Sequence, residues 1–247
     1  MPTPPVPTPR PHEQSLHGVT WNDPLAWLRD KTDPEVIAHL EAENAYYEAM
    51  TTHTGKLQKQ LFDEMLARIQ EDDCSVPVRK GPWLYYSRTE EGRPYRVYCR
   101  RSDEASEEQI ILDVNLLAEA HEYFSLGAFA VSPDHRLLAY TTDTDGSERF
   151  TLRVRSLQTG EDLPHTVADL KWSIAWASDN RTIFYTLSDS ADRPHKVVRH
   201  DVHTSSDSDV EVFHEPDERF FVDVRRARTG QFLVISCLLY TSPSPRD

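Results

Sequence analysis

The sequence predicts a mainly β chain with an N-terminal α-helical arm, its β part being a partial β-propeller of about three blades. Three observations carry that reading. Apolar residues recur at helical spacing between residues 33 and 69, the pattern turns strand-like past Cys74, and one segment returns after 45 and again after about 49 residues. Of the 247 residues, 38% are hydrophobic and 10% aromatic, enough apolar surface for a sizeable core. No apolar run approaches the ~20 residues that a membrane-spanning helix needs. Acids outnumber Lys and Arg by 41 to 27, a net charge of -14, which argues against a nucleic-acid grip and favours neutral or cationic partners. The three cysteines, Cys74, Cys99 and Cys237, form neither a disulfide framework nor a paired zinc knuckle, so a reducing, cytoplasmic compartment is expected.

Taken in order, Met1 to Pro11 contains six prolines, which preclude a helix or a central strand. Residues 1–20 are expected to be an extended, Pro-rich tail, and no apolar segment there reads as a secretory signal. Trp21 to Leu28 is an aromatic-rich anchor without helical length. Asp33-Pro34-Glu35 starts a helix, with Asp33 as cap and Pro34 in the first turn. Val36, Ile37, Leu40, Tyr47 and Met50 continue it. Leu57, Leu61, Phe62, Met65, Leu66 and Ile69 mark a second helix, joined to the first near Thr51 to Gly55. Together these make a helical arm over residues 21–73. An isolated helix pair buries little, so it is expected to pack against something else.

Residues 74–236 read as strands. Trp83 to Tyr86 follows the turn Gly81-Pro82, and Tyr95 to Tyr98 follows Glu91-Gly92. Val131-Ser132-Pro133-Asp134-His135-Arg136-Leu137-Leu138-Ala139-Tyr140 then aligns with Trp176 to Tyr185, and a third start runs from Arg228 to Ile235. Each copy has a polar turn, a buried apolar strand and an alternating strand. Repeats of that length are the mark of propeller blades, which bury their faces only against neighbours. About three units are visible, short of the smallest usual ring of about four blades.

These residues also carry a family resemblance. Asp23 to Leu28 and Glu43-Asn44-Ala45-Tyr46 look like the entry segment of the prolyl oligopeptidase family. Leu61 to Ile69, Pro94 to Tyr98, His121 to Gly127, Asp143 to Phe150 and Val197 to His200 resemble its oligopeptidase B branch. The resemblance implies a cytosolic serine peptidase in which a seven-bladed propeller covers an α/β-hydrolase domain and admits short peptides, cleaved after Lys or Arg. The chain has no G-x-S-x-G elbow to expose a serine nucleophile, so no catalytic residue is assigned. No cofactor or metal is expected either. The expected partners are short, cationic peptides and the chain's own missing hydrolase domain. Two alternatives stay open: a non-catalytic propeller that binds proteins or peptides, and a post-proline oligopeptidase of the same family.

Residues 237–247, Cys237 to Asp247, resemble the translation of a transposon-end adapter used in sequencing libraries, matching it at every position. The native sequence is therefore expected to be cut at about Ser236, leaving a strand edge exposed at Phe232 to Ile235. The remaining candidates read as structural. His200-x-x-His203 has a metal-like spacing but lies in a strand, where positions three apart face opposite ways. Cys74 and Cys99 have no evident base partner. Asp201 to Glu218 holds seven acids and no Lys or Arg. It reads as a solvated hairpin edge, with attraction of cationic peptides to the central pore as the functional alternative. Asp103-Glu104 and Glu107-Glu108 read the same way, and Asp145-Gly146 as a hairpin turn.

Overall fold

A computed structural model describes residues 2–239. The chain forms two compact units, Met1–Gln70 and Glu71–Asp247. In the first, the Pro-rich stretch has no regular structure through residue 12. It then gives way to an antiparallel hairpin of β1 (Glu13–Leu16) and β2 (Val19–Asn22). The turn between them, His17-Gly18, has positive φ at both residues, 52° and 78°, the geometry that matches strand twist in a two-residue hairpin. The extended tail is thus shorter than residues 1–20, because this turn brings residues 13–22 into pairing. Trp27 ties the tail back: its indole donates to the Thr8 carbonyl at 3.0 Å, and the Arg10 guanidinium lies 4.1 Å from its ring centroid.

Helix α1 (Pro34–Thr51) begins as its sequence dictates, with the Asp33 carboxylate accepting from the Glu35 amide at 2.8 Å and Pro34 inside the first turn. A short 3-10 turn, Thr52–Thr54, leads into α2 (Gly55–Leu66). Only Val36 is buried on the two helices, while Leu57, Leu61, Phe62 and Met65 stay exposed. No helix among the described residues is long and apolar enough to cross a membrane.

The second unit is a run of antiparallel strands. β3 (Val78–Lys80), β4 (Trp83–Arg88), β5 (Val97–Arg101) and β6 (Gln109–Asp113) form the first blade, in that order. A short helix, α3 (Val114–Ala118), follows. β7 (Ser125–Val131), β8 (Leu137–Asp143), β9 (Phe150–Ser156), β10 (Val167–Trp176), β11 (Thr182–Ser188), β12 (Pro194–Asp201) and β13 (Val210–His214) form one seven-stranded sheet. It is two blades sharing a strand. The start of β10 pairs with β9 and its end with β11, with register shifts on either side of Leu170 and a left-handed Asp169 (φ 62°) at the kink. β14 (Phe220–Arg226) and β15 (Leu233–Leu239) pair as the first two strands of a fourth blade. The repeat start at Arg228 falls in that fourth blade, since the recurring segment marks each blade's first turn, not its first strand.

The core lies between blades. Leu112, Val131, Leu138 and Tyr140 join the first blade to the second. Leu152, Leu170, Trp176, Ile183 and Val198 join the second to the third. Ala175, Val197, Val222 and Val224 join the third to the fourth. Each face is covered only when its neighbour is present, the rule for stacked repeats.

Gly127, on β7, sits where no side chain fits. A Cβ there would lie 2.5 Å from Thr141 Oγ1 and 2.7 Å from the Phe150 ring, both buried. Gly127→Ala is expected to destabilise the second unit by about 2 kcal/mol through overpacking, read as a lower denaturant midpoint at unchanged slope.

Candidate functional site

The innermost strands of the second, third and fourth blades, β7, the end of β10, and β14, run side by side. Each ends in the same turn. Ser132 N donates to Leu137 O at 2.9 Å, Ala177 N to Thr182 O at 2.8 Å and Ala227 N to Phe232 O at 2.8 Å. The fourth residue of each turn is left-handed: His135 (φ 64°), Asn180 (φ 59°) and Gly230 (φ 74°). The turns also bond to one another, the Asp134 amide donating to Asn180 Oδ1 at 2.8 Å and Arg226 Nη2 to Ser178 Oγ at 3.0 Å. The sequence repeat is thus the chemical repeat of this turn, and it brings equivalent positions of successive blades together.

Between these strand ends lies a recess of about 450 Å³. Lys80 from the first blade, His135 from the second, Trp176 from the third, and Arg226 and Arg228 from the fourth line it, with Ala130 at the wall. No Asp or Glu is among the lining residues. Arg226 directs its N–H groups to neutral acceptors: the Gly230, Trp176 and Ala177 carbonyls and the Ser178 hydroxyl. Partial desolvation, and then the Arg226 charge, hold the Lys80 amine below its ordinary range. His135 is held below the usual 6.5, first by burial and then by Lys80 and Arg100, with Asp134 opposing. Its ring is braced by the Tyr85 hydroxyl, 2.8 Å from Nδ1, and a Cβ on Gly81 would sit 2.5 Å from its Nε2. The mouth is therefore positive in a chain of net charge -14.

The acidic stretch does not reach this mouth. Asp201 to Glu218 runs from the end of β12 through β13, the outermost strand of the third blade, and on to the start of β14. Four of its seven acids are matched locally. Asp201 pairs with Arg181 at 2.5 Å, Asp209 with His200 at 2.7 Å, Glu211 with Lys196 at 2.9 Å and Asp217 with Arg219 at 2.6 Å. The Arg219 guanidinium holds the Asp217 carboxyl down to about 2. What the structure has there is a partly paired edge on the outermost strand of the third blade. Glu108 likewise accepts from Tyr86 at 2.7 Å and from Arg88 at 3.1 Å. Asp145-Gly146 forms a turn whose amides donate to the Asp143 carboxylate at 3.0 Å.

His200 is buried and His203 exposed, so the two do not converge, and no cluster of three metal-ligating side chains occurs among the described residues. Burial, and then Glu108, push the Cys99 thiol up to about 12, which leaves no thiolate at neutral pH. Cys74 is exposed. Lys80, Arg226 and Arg228 do not stand out in the sequence because Lys80 is far along the chain from the other two. The signal that finds them is their place at or beside the strand ends that the repeat aligns.

His195 is also held below 6.5 by burial, Asp189 opposing. A histidine depressed in the folded chain takes up its proton first in the unfolded chain. The contribution of these histidines to stability is accordingly complete above pH 6.5 and declines as pH falls below it toward the folded values. Denaturant midpoints across that range should show the decline, and His135→Asn, which keeps a residue suited to positive φ, should reduce it.

Residues 4–244 match the family model described as prolyl oligopeptidase, N-terminal beta-propeller domain. The chain is 38% identical to dipeptidyl aminopeptidase BI of Pseudoxanthomonas mexicana over 95% of its own length and 35% of that protein's. It is 32% identical to protease 2 of Moraxella lacunata, over 91% of its length and 34% of the relative's. Among solved structures it resembles oligopeptidase B from Leishmania major, with a TM-score of 0.91 at 27% identity, covering 96% of this chain and 36% of that one. The chain spans about a third of the length of these relatives.

Proposed function

Because the chain belongs to the prolyl oligopeptidase family, of which it is an N-terminal propeller portion, we propose that it is the non-catalytic part of a serine-type oligopeptidase resembling oligopeptidase B. In this reading the propeller lets short peptides pass to a hydrolase domain carried by the remainder of a longer chain. The whole enzyme cleaves after Lys or Arg in the cytosol, where Cys74 and Cys99, both free, stay reduced. Serine attack, proton transfer through histidine and oxyanion stabilisation by backbone donors belong to that remainder. The observation that carries the reading is the convergence of inner-strand ends from four successive blades on one small mouth, in a chain so like those peptidases.

The first experiment is to sequence the source DNA onward from the Phe232 codon. A frame running through further blades to G-x-S-x-G, with a later Asp and His, supports the peptidase and the adapter origin of residues 237–247. A native stop at Asp247 overturns both and favours a peptide-binding propeller. The extended protein is expected to hydrolyse Lys- and Arg-containing peptides, while the 247-residue chain alone releases no product above buffer. Cleavage only after proline would replace the basic specificity. A second reading, removal of dipeptides, is favoured by the 38% identity to a dipeptidyl aminopeptidase, and product masses separate it from internal cleavage.

A further inference from the structure

We propose that the recess at the inner-strand ends is a binding site for peptide carboxylates, held by Lys80 and Arg228 within the fixed positive field of Arg226. Three always-charged or nearly always-charged groups converge there from the first and fourth blades, with His135 as a fourth, switchable one from the second. Such a concentration of one sign is costly unless an anion offsets it. No ion pair among the described residues involves any of the four, although the chain has 41 acids and Arg88, Arg155, Arg181, Arg193 and Arg219 have each found one. Asp134 is the acid that acts on His135, but its carboxylate is turned to the Ser132 hydroxyl at 2.6 Å and the Arg136 amide at 3.1 Å.

The division of labour follows from hydrogen bonding. A guanidinium has five N–H donors, and Arg226 makes five bonds to its own turn and the neighbouring one. It contributes charge and a rigid wall but no free donor. Lys80 and Arg228 carry no side-chain hydrogen bond or ion pair among the described residues, and they line the recess from the first and fourth blades, where a carboxylate entering it meets their donors. Ala130, Ile174 and Trp176 supply an apolar floor, and about 450 Å³ accommodates a residue or two of peptide rather than a folded partner. The inference goes beyond hydrolysis: it concerns this chain's own binding and stands or falls whichever bond the longer enzyme cleaves.

The test uses the 247-residue chain at low ionic strength and sub-micromolar concentration, where self-association is slow. Modification of the Lys80 amine by an acylating reagent, followed by mass spectrometry, is measured against rising concentrations of acetyl-Gly-Glu. Saturable protection of Lys80 is expected, with the corresponding diamide weaker by about tenfold or more. Calorimetry then compares Arg228→Gln and the charge-keeping Arg228→Lys. The first should lose about tenfold in affinity and the second much less, with Arg219→Gln, on the outer edge, as the unchanged control. Position 228 is exposed at a turn, and a coincident thermal melt confirms folding. Absence of protection, equal protection by the diamide, or equal affinity in Arg228→Gln would overturn the proposal. Tighter binding of inorganic phosphate than of the dicarboxylate would overturn the assignment to peptides.

Discussion

Arg193→Ala is expected to cost the second unit about 3 kcal/mol and to release its last two strands. The Arg193 side chain is 8% exposed. It donates from Nε to Asp189 at 2.8 Å, and from Nη1 to the Asp217 and Phe220 carbonyls, each at 2.8 Å. These bonds clamp the entry to β14 onto the β11–β12 loop of the preceding blade. Truncation strips a donor from two backbone carbonyls, leaving Asp217's with only the Phe220 amide at 3.1 Å, and leaves Asp189 without its cation, so the cost is that of breaking a network rather than of losing one surface pair. Arg193→Lys should recover only part, because an ammonium cannot reach this spread of acceptors in one plane. Denaturant titration reads the total. Hydrogen exchange locates it, with faster exchange confined to β14 and β15; uniform loss across all blades would contradict the clamp.

The second large effect concerns the fourth blade. Among the described residues β15 is paired on one side only, with β14, while Phe232 and Leu238 are each 67% exposed. A half-satisfied strand edge bearing large apolar side chains invites pairing with another chain. Expressed as these 247 residues, the protein is expected to self-associate with rising concentration. Phe232→Lys with Leu238→Lys should raise the soluble concentration by roughly tenfold, since edge lysines oppose strand addition. Neither residue belongs to the cluster that Val222, Val224, Leu233 and Ile235 form against the third blade, so the melt should hardly move. Light scattering against concentration decides it. A monodisperse wild-type chain would show that the edge is already protected.

Much of this architecture was legible in the sequence because its signals are local. Asp33-Pro34 starts α1 through one carboxylate and one fixed φ, both properties of adjacent residues. The recurring Asp-His and Asp-Asn turns announce blades because each needs a left-handed residue and a capping oxygen within a few positions. The hairpin at residues 13–22 was missed because His17 does not advertise positive φ as Asn does, and the prolines before it dominated the pattern. Counting blades by the recurring turn also hid the shared strand β10, whose halves serve two blades across one kink.

The candidate site was not legible in that way. Lys80 and Arg228 are separated by most of the β unit, and neither alone points to a binding site. The acidic run at 201–218 is conspicuous in the chain, yet four of its seven acids are matched by arginines, lysine and histidine at the outer rim. The sequence by itself determined the helical arm, the strands, the repeated turn and the family, because turn chemistry and alternation act over a few residues. Only the tertiary structure decided which charges share a space, because electrostatic fields depend on distance and desolvation between blades, and neither is written along the chain.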